Sequence, residues 1–281
     1  MQFLQCGRFR LDLEQPRIMA IINTTPDSFS GDGVGRDLDL ALRRAELAVA
    51  EGAHLLDLGG ESSRPGADPV SEQEELDRVV PLVERLADWP VPVSVDTFKP
   101  EVMRAVLAAG ASLVNDINGF RAAGAVEAVH DSDAALCVMH MKGEPRNMQK
   151  DPQYDDVVSE VLNFLEERVG VLLEAGIARE RLVLDPGFGF GKTLDHNLAL
   201  MRALDRFVAT GYPQLIGVSR KTMIGTITGR PTAERVTGSV AAAMICVELG
   251  ARIVRVHDVA QTRDALEVWQ AVRQPRISAE P

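Results

Sequence analysis

Cysteine is scarce in this chain: Cys6, Cys137 and Cys246 are the only three among 281 residues, and no two are spaced as CxxC. An odd, scattered set excludes a disulfide framework and a CxxC zinc site, and the thiols read as buried. Long apolar runs are missing too. Stretches such as AAAMIC at 241–246 fall far short of the roughly 20 residues a spanning helix needs. The first residues lack the basic-then-apolar pattern of a secretory signal, so a cytoplasmic protein is expected. Positive charge is in deficit, with 30 Lys and Arg against 41 Asp and Glu for a net charge of −11. That balance argues against nucleic-acid partners and anionic membranes, and any anionic ligand needs a local basic cluster. What is there, 46% hydrophobic and 25% charged residues, is the composition of a folded protein with one sizeable core.

After an opening that alternates like a small hairpin (residues 3–11), short apolar runs alternate with segments of helical period. Eight such pairs can be counted. The predicted strands are RIMAIIN (17–23), HLLDLG (54–59), VPVSVD (91–96), SLVND (112–116), ALCVMH (135–140), LVLDP (182–186), QLIGVS (214–219) and RIVRVHD (252–258). The clearest helix covers 155–175, where apolar residues from Val158 to Leu172 step by three and four along one face and Gly176 stops it. A second spans 37–51 with Asp37 as N-cap, and a third 233–249 before Gly250. Strands apolar throughout belong to parallel sheets buried on both faces. Eight units across residues 17–273 match the roughly 250 residues of a (β/α)8 TIM barrel. The expectation is an α/β chain with one barrel domain over 1–281 and a short N-terminal hairpin. An open doubly wound sheet would show a GxGxxG turn after its first strand, and NTTPDSFSGDG lacks that spacing.

In such a barrel the strands' C-terminal ends form the active mouth. The polar residues there are Asn23, Glu61 to Arg64, Asp96, Asn115 with Asp116, His140, Asp185, Ser219 to Lys221, Arg255, His257 and Asp258. Singly each has a plain alternative: Asp96 as cap of a helix near Pro100, Asn115 or Asp185 as turn residues, Thr222 as an N-cap. Jointly they place carboxylates and amides at four strands and cations at two more. Lys221, Arg255 and His257 end strands seven and eight, where barrels of this kind bind phosphate, so a phosphorylated substrate is expected. Asp96 and Asp185 suit a heterocycle rich in N–H donors. SRKTMIG runs into a helix whose start could hold a second anion. GFGFGKT (187–193) has Pro186 where a Walker loop needs Gly, so it is read as a turn bringing Phe188 or Phe190 to a flat ligand. His54, His130 and His196 are expected at the surface, with His140 left open. The loops 25–36, with Phe29, and 59–70 have the Gly, Ser and Pro content of lids.

These residues lie in NTTPDSFS, GGESSRPGA, VDTFKP, NDINGF, MHMKGEP, LDPGFGFGK, SRKTMIG and RVHDV, in order from about residue 18 to 273. At these motifs the chain resembles the dihydropteroate synthase family of folate biosynthesis. The resemblance implies condensation of (7,8-dihydropterin-6-yl)methyl diphosphate with 4-aminobenzoate, giving dihydropteroate and diphosphate, with Mg2+ required. It implies a pterin pocket of Asp96, Asn115, Asp185 and Lys221, and diphosphate held by Asn23, Ser63, Arg255 and His257, with Asn23 as the metal ligand. It implies an aminobenzoate site of Ser63, Pro65, Phe190, Lys221 and Thr222, with catalysis carried by Asp96, Lys221, Arg255 and His257. A homodimer built on the outer helices and small-molecule partners also follow from it. The chain departs from the family pattern in PDSFSGDG, which moves the later loop carboxylate to Asp32. It departs again in Ser63 for a usual Thr, and in Phe98, whose bulk bears on aminobenzoate and sulfonamide affinity. The competing expectations are a non-catalytic pterin-binding barrel, like those of corrinoid methyltransferases, and an inactive paralogue.

Overall fold

Strand pairing runs almost without a break around the molecule. The computed structural model describes residues 3–23, 34–62 and 66–273. Its strands are β1 (Phe3–Cys6), β2 (Phe9–Asp12), β3 (Arg17–Asn23), β4 (Leu55–Gly59), β5 (Val93–Asp96), β6 (Leu113–Asp116), β7 (Ala135–Met139), β8 (Leu182–Asp185), β9 (Leu215–Ile216) and β10 (Ile253–Val256). Between and after them come α1 (Val34–Ala50), α2 (Glu72–Leu86), α3 (Pro100–Ala108), α4 (Ala125–His130), α5 (Val157–Glu174), α6 (Leu194–Arg202), α7 (Leu204–Val208), α8 (Thr222–Thr228), α9 (Val236–Glu248) and α10 (Val259–Arg273). The parallel sheet has the order β8-β7-β6-β5-β4-β3-β10-β9. A parallel bridge between Leu184 and Gln214 joins its two ends, with the Leu184 N–H donating to Pro213 O at 3.0 Å. This is the expected (β/α)8 barrel, each strand at its predicted place.

Two apolar cores follow from the two-residue period of a strand. Ile18, Leu56, Val95, Val114, Leu136, Leu184, Ile216 and Val254 face outward and pack with the helices. Met19, Leu55, Leu113, Ala135, Cys137, Val183, Leu215 and Ile253 face inward and form a separate cluster with Leu4, Cys6 and Leu13. The β1–β2 hairpin is therefore a plug for the barrel's N-terminal end, held by the Gly7 N–H on Asp133 O at 2.9 Å. All three cysteines are buried and unpaired, as expected. With the lower barrel filled by hydrocarbon, the next inward positions are left for polar side chains.

Local differences have physical causes. The expected seventh strand, 214–219, pairs only over Leu215–Ile216, because the chain turns at Val218 and reaches a left-handed Arg220 (φ 56°). Asp37 lies inside α1, which begins at Val34, so it is not the N-cap. Asp156, one residue outside the helix, caps α5 by accepting from the Val158 and Ser159 N–H groups. Among the described residues no helix is long and apolar enough to cross a membrane.

Candidate active site

Above the hydrocarbon layer, register puts Asp57, Ser94, Asp96, Asn115, Asp185 and Arg255 on the barrel's inner face. Arg255 comes from β10 and crosses the barrel. Its Nε donates to Asp57 Oδ2 at 2.6 Å and its Nη2 to Asp96 Oδ2 at 3.0 Å. Asp57 is sealed from solvent and also accepts from Ser94 Oγ at 2.5 Å. Burial raises the Asp96 carboxyl, the Arg255 guanidinium pulls it back, and the Asp57, Glu75 and Asp116 carboxylates push it up, leaving it at about 7. The two carboxylates likewise hold the Arg255 guanidinium above its ordinary value against the opposing effect of burial. Asp96 caps nothing: α3 has Lys99 at its N-cap and Pro100 at its start.

Asn115 and Asp185 line the same layer. Asn115 is buried, and its Oδ1 has no hydrogen-bond partner among the described residues. A buried carbonyl oxygen without a donor costs about 1–3 kcal/mol, so its presence at a mouth marks a surface shaped for a ligand N–H. Asp185 accepts from the Gly187 N–H at 2.7 Å, so it starts a turn and still belongs to the chamber. Burial raises its pKa, with Lys221 opposing. Lys221 reaches in from the N-cap of α8, past Gly189, where a Cβ would crowd its Cδ at 3.3 Å. The ammonium donates to Phe188 O and lies 4.7 Å from the Phe190 ring centre. Burial lowers it to about 8, against the pull of Asp185.

The glycine-rich turn after β8 is anchored from below. Lys192 is buried and its Nζ donates to Gly187 O at 2.9 Å, Phe190 O at 3.0 Å and His140 Nδ1 at 2.9 Å. Burial pulls Lys192 well down and, with the neighbouring Lys192 charge, takes His140 to about 2, so His140 is a neutral acceptor. Gly187 (φ 71°) lies so close to His140 O that a Cβ would overlap it, and Gly191 (φ 64°) does the same against Lys142 O. This bracing separates the two phenylalanines. Phe188 is wholly buried in the outer core, whereas Phe190 joins Phe98 on a cluster of Ile117, Met139, Met141 and Met148.

Asn23 ends β3 beside Gly59 and Asp96 in the same register row. His257 is oriented by Ser219, whose Oγ lies 3.0 Å from Nδ1 and accepts from the His257 N–H at 3.2 Å. Thr222 is exposed at the first position of α8, not its N-cap, which is Lys221 without a side-chain cap bond. Ser63, Pro65, Phe29 and Asp32 lie outside the described residues.

Several strand-end residues serve the frame instead. Asp116 accepts from the Asn118 and Phe120 N–H groups at 2.6 and 2.7 Å, closing the turn after β6. Glu61 meets Lys99 Nζ at 2.6 Å, and the same ammonium reaches Val70 O and Glu75 at 2.6 Å each. That clamp ties both ends of the loop expected to be a lid. Arg220 forks onto Asp258, locking the turns after β9 and β10 together. His54, expected at the surface, is half-buried, and its Nδ1 accepts from the Ile18 N–H at 3.1 Å, with burial lowering it to about 4. His196 belongs to a capping box with Thr193 at the start of α6. The residue that sequence reasoning missed is Asp57, whose signal is a carboxylate in the middle of the apolar run HLLDLG.

Residues 19–257 match the family described as pterin binding enzyme. The dihydropteroate synthase of Neisseria meningitidis serogroup C is 51% identical over 273 residues, 95% of this chain and 96% of that one. The chain belongs to the dihydropteroate synthase family. Within that family, the Burkholderia cenocepacia synthase solved with 7,8-dihydropteroate superposes at TM-score 0.89 with 56% identity, covering 96% of each chain. The Xanthomonas albilineans synthase solved with 4-aminobenzoic acid gives a TM-score of 0.92 at 48% identity, covering 100% of this chain and 99% of that one.

Lys192 supports one test of this site's frame. In Lys192→Met, three acceptors lose their donor, and the loss of about 3 kcal/mol should lower the melting temperature by roughly 5–10 °C in calorimetry. An unchanged transition would contradict the bracing role.

Proposed function

We propose that the barrel mouth condenses (7,8-dihydropterin-6-yl)methyl diphosphate with 4-aminobenzoate, releasing diphosphate and forming 7,8-dihydropteroate. The observation that carries this reading is Asn115 Oδ1, without a hydrogen-bond partner among the described residues and set in one buried layer with Asp96, Asp185 and Lys221. The amino-pyrimidine edge of a pterin carries several N–H donors, and Asn115 Oδ1 and the Asp185 carboxylate are acceptors in a dry site that would otherwise resist filling. Lys221, a donor, suits the ring's carbonyl and nitrogen acceptors.

The chamber's charge supports the chemistry. Asp57, Asp96 and Asp185 are three carboxylates against the two cations Arg255 and Lys221, so when all are ionised the layer carries one net negative charge. Breaking the carbon–oxygen bond to diphosphate leaves positive charge on the dihydropterin methyl carbon, delocalised into the ring. A negatively poised layer stabilises that charge, and the weakly nucleophilic arylamine then attacks the carbon and loses a proton to solvent. No strong general base is required.

Asn23 and His257 would receive the diphosphate at the rim, with His257 held in orientation by Ser219. Arg255 stands lower, and the N–H groups of its fork not used on Asp57 and Asp96 would be left to meet the diphosphate, with Ser63 completing that site. Among the described residues no three His, Cys, Asp or Glu side chains form a cage for a cation. Mg2+ carried on a diphosphate takes most of its oxygens from phosphate and water and needs only one or two from protein, so Asn23 fits it as a ligand. When bound, Mg2+ would neutralise the leaving diphosphate. Phe190, under the Lys221 ammonium, and the exposed Thr222 would shape the aminobenzoate site, completed by Ser63 and Pro65. A homodimer is part of the same reading, supported by exposed Ile245 on α9 and by Val268 and Val272 on the neighbouring α10. Sedimentation velocity of the purified chain should give twice the 30.5 kDa mass, and a single-chain mass would overturn it.

Purified chain mixed with Mg2+ and both substrates should yield dihydropteroate, read by chromatography. Loss of the Asp96 or Asp185 charge in Asp96→Asn or Asp185→Asn should lower kcat by about 10²–10³-fold. Because Asp96 titrates at about 7 and acts ionised, kcat/KM should rise with pH through that value and level off above it. Asp116→Asn, altering a frame carboxylate, should keep that rise. A folded native chain that binds the pterin and makes no product would establish a binding barrel instead.

A further inference from the structure

Among the described residues, Asp57 is the one carboxylate of the inner layer that cannot meet a substrate. It is fully buried below the mouth, in register between Ile21 and Ser94, with hydrocarbon beneath it at Leu55. Both of its oxygens are engaged, Oδ1 by the Ser94 hydroxyl and Oδ2 by Arg255 Nε. A core position that needed only filling would be as stable or more so with an apolar side chain, because a buried ion pair seldom repays its desolvation. The arrangement does something packing would not: it holds a long, flexible arginine by its inner nitrogen. With Nε fixed, the planar fork cannot rotate, and Nη2 arrives at Asp96 at one height and in one plane.

We infer that Asp57, seated by Ser94, is a positioning residue for the pterin half of the reaction: it fixes the Arg255 guanidinium between two carboxylates and thereby sets how much of that cation's charge Asp96 receives. The inference rests on the synthase reading above. The charges acting on Asp96 are Arg255 from β10, Asp57 from β4, Asp116 from the outer face of β6, Glu75 from α2 and Lys221 at the N-cap of α8, with the Asn115 amide beside it in register. Glu75 is itself held by Lys99 at 2.6 Å, so Asp57 is the carboxylate that competes with Asp96 for the same guanidinium. Neutralising it removes a like charge and releases Arg255 wholly to Asp96. Both changes favour the ionised form of Asp96, so the acid limb of the pH profile must move to lower pH.

The test compares native chain, Asp57→Asn and Ser94→Ala in the synthase assay across pH, each confirmed folded by circular dichroism. In Asp57→Asn the acid limb should move down by about one pH unit. Its kcat/KM for the dihydropterin diphosphate should fall about 10–100-fold as the guanidinium loses its fixed plane. The KM for 4-aminobenzoate should stay within about twofold, since Asp57 does not touch that site. Ser94→Ala keeps the charge on Asp57 and removes its hydroxyl donor, so Asp57 draws Arg255 more strongly and the acid limb should move up. It also keeps the question open to measurement if Asp57→Asn does not fold. Opposite displacements in the two variants, or the upward one alone when only Ser94→Ala folds, support positioning. A folded variant of either kind with acid limb and kcat/KM unchanged within twofold overturns it, leaving Asp57 as a packing residue. If the native chain itself gives no product, the synthase reading falls first and this role falls with it, a result distinguishable from native turnover with unaltered variants.

Discussion

A guanidinium shared by two buried carboxylates is the constraint around which the upper barrel is arranged. Charges taken out of water are costly unless each is met at close range, and here Arg255 spans β10, β4 and β5 to meet Asp57 and Asp96 together. Such an interaction needs a closed ring, since the three strands must be held across an interior from which water is excluded. The Leu184 to Gln214 bridge supplies closure at the sheet's ends, and the β1–β2 hairpin supplies the dry floor. The polar layer then sits on hydrocarbon and opens only upward.

The chamber is lined by groups from six strands, although few of them touch one another. Around it, polar residues of similar kind do mechanical work. Lys99 ties the loop after β4, Lys192 ties the turn after β8, and Arg220 with Asp258 ties the last two turns. Lys192 and Lys221 show the distinction: both are buried lysines near Asp185, yet one is surrounded by carbonyl acceptors and the other projects over an aromatic ring.

Most of the fold was legible because all eight barrel strands are outlined by apolar runs with helix-stopping glycines before several of them. The boundaries that slipped are those decided by backbone geometry, as at β9, where a left-handed Arg220 ends pairing early. The site was legible at strand ends, where Asp96, Asn115, Asp185, Lys221 and Arg255 do come together. It was not legible mid-strand: Asp57 sits inside an apolar run, and a sequence does not reveal which of two alternating faces a lone carboxylate occupies or that an arginine 198 residues away will reach it. Nor could strand-end position separate Asn115 from its neighbour Asp116, since adjacent strand residues point to opposite faces. His54 was misjudged for a related reason, its partner being a backbone N–H on an adjacent strand.

The central claim is that a fixed charge network beside the Asn115 oxygen, which has no partner among the described residues, receives the pterin. The most direct measurement is a crystal structure of this chain with the dihydropterin diphosphate bound. The account predicts a pterin N–H on Asn115 Oδ1, another on the Asp185 carboxylate, and Arg255 still joined to both Asp57 and Asp96. A pterin seated elsewhere, or an Arg255 that leaves Asp57 to follow the diphosphate, would contradict it.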